Sequence, residues 1–208
     1  MHPNPVFHDA DKVQNISFAR ERGFGVLAVQ NDDFPMLSHI PFLLNAEGSV
    51  AEFHLVRSNP IARILKTPRN AKIAVSGPDS YISPDWYEVI DQVPTWNYVA
   101  VHLTGVIELR PQKDLLDLLD RQAAFYEDRL TPKPAWKTAK MTEAVRDKMM
   151  RMILPCRMEI HSLDGTWKLG QNKPDTARTA AADQVSGYGF GSETGILAAL
   201  MHGASEGG

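Results

Sequence analysis

The run YVAVHLTGVIEL, residues 98–109, alternates with period two for twelve residues and constrains this chain more than any other stretch. Val99, Val101, Leu103, Ile107 and Leu109 fall on one side; Tyr98, Ala100, His102, Thr104 and Glu108 fall on the other. Successive side chains of a strand point to opposite faces, so this pattern predicts a strand with one buried face. A chain with such a strand must supply partners for it. Shorter apolar runs at 24–30, 35–45, 50–56 and 71–77 are read as those partners, with turn residues between them. Pro41 inside the second of these predicts an edge or a bulge, where a missing N–H does no harm.

Helical spacing is read at 9–22, 58–67, 111–130 and 142–153, with a short helix at 193–202 in an Ala- and Gly-rich tail. PDSYISPDWY (78–87) is expected to be loop, and CRMEIHSLDGTWKLGQN (156–172) a strand, an Asp-Gly turn and a polar ending. The fold class expected is mainly β with α: about six antiparallel strands closing into a small barrel with helices outside. Residues 1–173 form the expected domain, with the helical segment 111–153 inserted late in it and 174–208 as a tail.

Composition excludes several classes. Apolar residues at 43% and charged residues at 23% fit a soluble globular protein, and no apolar run is long enough to span a bilayer. The first residues, MHPNPVFHDADKV, lack the cationic and apolar regions of a signal peptide. One cysteine, Cys156, cannot make a disulfide framework and is read as a buried, inert thiol. The expected location is cytoplasmic. A net charge of −3 argues against broad nucleic-acid binding, although Arg57, Arg63, Lys66, Arg69 and Lys72 occupy a stretch free of acids.

Nucleotide-loop, Walker, nucleophile-elbow and zincin motifs are absent. His39, His54 and His102 lie on three strands, but lone strand histidines are more often structural, and no metal is expected. What remains is polar and aromatic residues at strand ends: Ser38-His39, Arg57-Ser58-Asn59, Trp96-Asn97-Tyr98, and Trp167-Lys168 with Gln171-Asn172. Cationic and hydroxyl groups before a short helix suit a phosphate, and Trp, Tyr, Asn and Gln suit a flat ring with polar edges. Core packing by the tryptophans and a turn role for Asn97 explain the same residues equally simply.

Four strings narrow the choice. SHIPF (38–42), GPDSYISPDWY (77–87), VPTWNYVAVHLTG (93–105) and GTWKLGQN (165–172) together resemble the PaiB-type FMN-binding negative transcriptional regulators, colinearly over most of 1–173. The resemblance implies a split β-barrel and a homodimer with FMN at the subunit interface. It places the flavin phosphate on Arg57, Ser58 and Asn59, and the ring along Ser38, His39 and Ile40. Trp96, Asn97 and Tyr98 would wall the pocket, and Trp167, Lys168, Gln171 and Asn172 would approach from the partner subunit. This chain has Gly170 where the family more often has Ser, and Arg57 where other members have a smaller residue. The function implied is negative transcriptional regulation. An FMN-dependent oxidoreductase acting on a small molecule, or a haem- or flavin-binding protein without turnover, are the alternatives. Direct DNA binding is expected to be weak.

Overall fold

The computed structural model describes residues 1–204. In chain order the elements are α1 (Lys12–Arg22), β1 (Phe24–Val29), β2 (Met36–Pro41), β3 (Leu43–Leu44), β4 (Val50–Val56) and α2 (Pro60–Ile64). They continue as β5 (Arg69–Ile82), β6 (Thr95–Leu109), α3 (Leu115–Glu127), α4 (Glu143–Met150), β7 (Ile153–Lys168), α5 (Asp175–Tyr188), β8 (Gly191–Ser192) and α6 (Thr194–Gly203). One sheet carries the strands in the order β2-β1-β5-β6-β7-β4-β3, with β8 on β5. β1 pairs antiparallel with β2 and β5, and β4 with β3 and β7. The α+β class and the faces of β6 stand as the alternation predicts: Val99, Val101, Leu103 and Ile107 are all buried. Pro41 lies on β2, at the sheet edge.

The chain divides into two compact units. One comprises Met1–Phe18, Val75–His102 and the chain from Asp164 onward; the other comprises Ala19–Ala74 and Leu103–Leu163. In the first, which we call the terminal unit, Ile82, Tyr87, Val99 and Trp167 form a core with Ala177, Ala181, Val185, Leu197 and Met201. In the second, the central unit, the buried residues are larger: Leu27, Phe42, Phe53, Ile73, Leu103 and Ile107 among them. Buried Cys156 belongs here, and burial pushes its thiol up to about 12, as an inert thiol requires.

Three expectations change. The loop expected at 78–87 begins as strand, because β5 runs on to Ile82, where Asp79 and Ser80 pair with Ser192 and Gly191 of β8. The turn expected at Asp164-Gly165 does not form; β7 passes straight through it. Gly165 is there for close approach, since a Cβ would stand 1.9 Å from Asn15 Oδ1. The expected tail holds α5 as well as α6, and both contribute buried residues to the core of the terminal unit. Residues 205–208 of that tail lie outside the described residues.

Candidate functional site

In the central unit the structure brings together two segments that the sequence separates by 21 residues: Asn59 Nδ2 donates to Ser38 Oγ at 3.0 Å. Asn59 also caps α2, its Oδ1 accepting from Ile61 N–H at 2.9 Å. Each amide end is thus committed, and Asn59 is a positioning residue for Ser38. Because Ser38 Oγ accepts, its own hydroxyl hydrogen remains to be given to a ligand. Ser58, which precedes Asn59 in the chain, is exposed. The α2 helix is only five residues long, so its dipole adds little, and any anion here depends on hydroxyls and on the cationic stretch.

Arg57 is partly spent elsewhere. Its Nε donates to Arg151 O at 2.9 Å and Nη2 to Gln112 Oε1 at 3.1 Å, while no carboxylate among the described residues pairs with it. The guanidinium keeps its full charge and a fixed position. Along β2, Ser38 and buried Ile40 share one face and exposed His39 the other, where it stacks on Phe24 with centroids 6.3 Å apart. A flat ligand lying along β2 would therefore meet Ser38 and His39 from different sides.

The remaining expected residues belong to the terminal unit. Trp96 is 39% exposed; its Nε1 donates to Asp79 Oδ1 at 3.3 Å, and its ring meets Tyr81 and Phe190 edge-on. Asn97 is buried, with Nδ2 turned to Met201 Sδ at 3.7 Å, and Tyr98 is half-buried on the other face of β6. Trp167 is buried and donates through Nε1 to Asn15 Oδ1 at 2.8 Å. Gln171 closes the following turn, accepting from Leu169 N–H and donating to Trp167 O. These side chains hold the frame around half-buried Lys168 and exposed Asn172. Gly170 has φ +86°, a backbone that a serine would strain, which explains the residue found here.

Sequence reasoning missed Thr95, which accepts from Lys168 Nζ, and the Lys173–Gln92 pair, although Thr95 lies within VPTWNYVAVHLTG and Lys173 just after GTWKLGQN. The three strand histidines do not form a metal centre: among the described residues no three His, Cys, Asp or Glu side chains are grouped to hold an ion. No helix among those residues is long and apolar enough to cross a membrane. The central unit also carries an apolar cavity of about 610 Å³ lined by Leu116, Leu119, Tyr126, Trp136, Met149 and Ile153.

Comparison with solved structures shows the split-barrel fold. A FAD- and haem-binding protein of Mycobacterium smegmatis superposes with TM-score 0.57 at 14% identity, over 88% of this chain and 80% of that one. The flavocytochrome Anf3 of Azotobacter vinelandii gives 0.50 at 13%, over 76% and 67%. In sequence, the chain is 25% identical over 179 residues to "Protease synthase and sporulation protein PAI 2" of Bacillus subtilis, covering 85% of this chain and 84% of that protein. The family described as "Putative FMN-binding domain" matches residues 1–162, and the chain belongs to that family. Flavin is the cofactor that this membership assigns, and the PaiB-type resemblance stands with it.

Proposed function

We propose that this protein is a homodimeric FMN-binding regulator of the PaiB type, acting in the cytoplasm. The observation that carries the reading is the Ser38–Asn59 contact, which sets a free hydroxyl donor beside the acid-free cationic segment of a chain from an FMN-binding family. Ser38, Ser58 and Arg57 would hold the flavin phosphate, with Asn59 positioning Ser38. Ser38 and Ile40 would follow the ring from one face of β2, with His39 on the other. Trp167, Lys168, Gln171 and Asn172 would come from the partner subunit. Bound FMN supplies one- and two-electron transfer at its ring.

Self-association is supported by β2, an edge strand on which Leu37 is 64% exposed, with exposed Phe24 on its neighbour β1 opposite Pro41. An apolar edge of this kind invites pairing with a second chain. Regulation is supported by the Bacillus relative, named for protease synthesis and sporulation. A net charge of −3 points to weak direct DNA binding, with regulation through a partner protein or a small molecule. The test compares FMN with riboflavin by fluorescence titration of apoprotein. FMN is expected to bind more tightly by roughly 1.5–3 kcal/mol per phosphate contact, and Ser58→Ala to remove one such contact. Equal affinities for the two flavins, or a tight FMN complex of a monomer in light scattering, would overturn the reading.

A further inference from the structure

In the terminal unit two half-buried lysines stand without a counter-ion. Lys168 Nζ donates to Thr95 Oγ1 at 2.5 Å and lies 5.8 Å from the centre of the Phe7 ring. Lys173 Nζ donates to Gln92 Oε1 and lies 5.3 Å from the centre of the Tyr87 ring. Neither lysine makes an ion pair with a carboxylate among the described residues; Asp164, which follows the chain toward Lys168, faces His8 at 3.6 Å. Burial, and then the charge of Lys173, hold the Lys168 amine below the ordinary lysine range, and no carboxylate offsets them. Lys168 in turn adds to the forces that lower His2.

This arrangement is costly without a ligand. Long lysine side chains ordinarily extend their ammonium groups into solvent, the more so beside a second positive charge. Here each is instead held by a neutral oxygen and an aromatic face. Hydroxyl and amide oxygens fix the position of an ammonium while leaving its charge unspent, and each ammonium keeps two further N–H donors.

We propose that Lys168 and Lys173 form an oxyanion site that takes the doubly charged group of a second small molecule, a phosphate monoester or a dicarboxylate. Two unit charges match such a dianion, and charge-assisted hydrogen bonds from both ammonium groups, with the Thr95 hydroxyl turned to donate, satisfy its oxygens. The Phe7 and Tyr87 rings beside the lysines suit an organic body attached to the anion. Lys173 lies beyond both the stretch that the family match covers and the GTWKLGQN string. The site goes beyond the flavin reading, in which Lys168 alone has a part and the flavin phosphate sits in the central unit.

The experiment is calorimetric titration of the purified protein, flavin included, with inorganic phosphate and with malonate, at constant ionic strength. Saturable binding of at least one is expected, and the tighter arm tells phosphate from dicarboxylate. Lys168→Met and Lys173→Met are each expected to weaken it roughly tenfold or more, and Lys148→Met to leave it unchanged. Thermal melts without added anion show whether each variant is folded, and upward movement of the Lys168 titration on anion binding, followed by NMR, reads the site in the unmodified protein. No saturable response to either probe, or responses unchanged in both lysine variants, would overturn the proposal. Displacement of the bound anion by FMN but not by riboflavin would also overturn it, because the lysines would then be the flavin's own phosphate seat. Absence of flavin from the protein bears on the flavin reading alone, since the anion titration needs no flavin signal.

Discussion

The two units solve the burial problem in opposite ways. The central unit buries large side chains such as Phe42, Phe53 and Leu103, and it also leaves an apolar cavity open between the residues of α3, α4 and the chain joining them. The terminal unit packs two helices through alanines at 177, 181, 182 and 198, and it buries polar groups that are individually tied. Arg178 is 3% exposed, with Nε on Met201 O at 2.9 Å and an ion pair to Asp175. Asn15 holds Trp167 and is itself fixed through Ala10 O and Asp11 O. The difference teaches where each unit is fragile: the central one to changes of volume, the terminal one to loss of a hydrogen-bond partner.

The sharpest way to break the contrast is at glycines. In the central unit a Cβ on Gly105 would stand 1.8 Å from Glu159 O, a backbone atom of the neighbouring strand that cannot step aside. Gly105→Ala is expected to cost at or above the ~3 kcal/mol upper end of ordinary overpacking, read from chemical denaturation. Gly187, in α5, has nothing within 4 Å of such a Cβ. Gly187→Ala is expected to stabilise by up to about 1 kcal/mol, because only the helix propensity changes. Similar losses at both glycines would erase the distinction.

Next in size is Arg178→Met, which keeps the volume but strands the Met201 carbonyl and removes a buried charge-assisted bond. A loss of about 2–3 kcal/mol is expected. Its counterpart in the central unit is Arg121, exposed and bridged to Glu52 and Asp117 at 2.8 Å each. Arg121→Met should change stability by no more than about 1 kcal/mol, since exposed ion pairs gain little over solvation.

The smallest expected effect is one of pH. His54 of the central unit is lowered from its ordinary range by burial, against a weaker opposing pull from Gln122. Although the two side chains interact, Nδ1 of His54 and Nε2 of Gln122 lack a well-formed hydrogen-bond partner. A depressed histidine binds its proton more weakly folded than unfolded, so its contribution is present above about pH 6.5 and is lost as pH falls toward the folded value. Melting temperature should fall between pH 7 and pH 5 in the native protein and fall less in His54→Leu. An equal fall in both would place the acid sensitivity elsewhere.

Much of the central unit was legible in the sequence, because its strands alternate large apolar and polar residues and the alternation is local. The buried face of β6, the strand at β4 and the expected helices at α3 and α4 follow from residues a few positions apart. The helix α5 was missed for the same physical reason in reverse: its inward positions are alanines, which carry almost no hydrophobic contrast. The site was legible as residue types and strings, yet not as contacts. Nothing near Asn59 in the chain names Ser38 as its partner, and nothing near Arg57 says that Arg151 O and Gln112 will engage its guanidinium.

By itself, then, the sequence determined the antiparallel character of this protein, the absence of a disulfide framework and, through four colinear strings, its flavin-binding family. Tertiary structure alone decided that β5 extends to Ile82, because its partner β8 arrives from the far end of the chain. It likewise decided that Gly165 is a close-approach glycine, and that Lys168 and Lys173 are each held by a neutral oxygen rather than by an acid. Periodicity reports which way a side chain faces, since that depends on its own backbone. What the side chain meets there depends on segments distant in sequence, and a charge gains or loses most of its energy from that encounter.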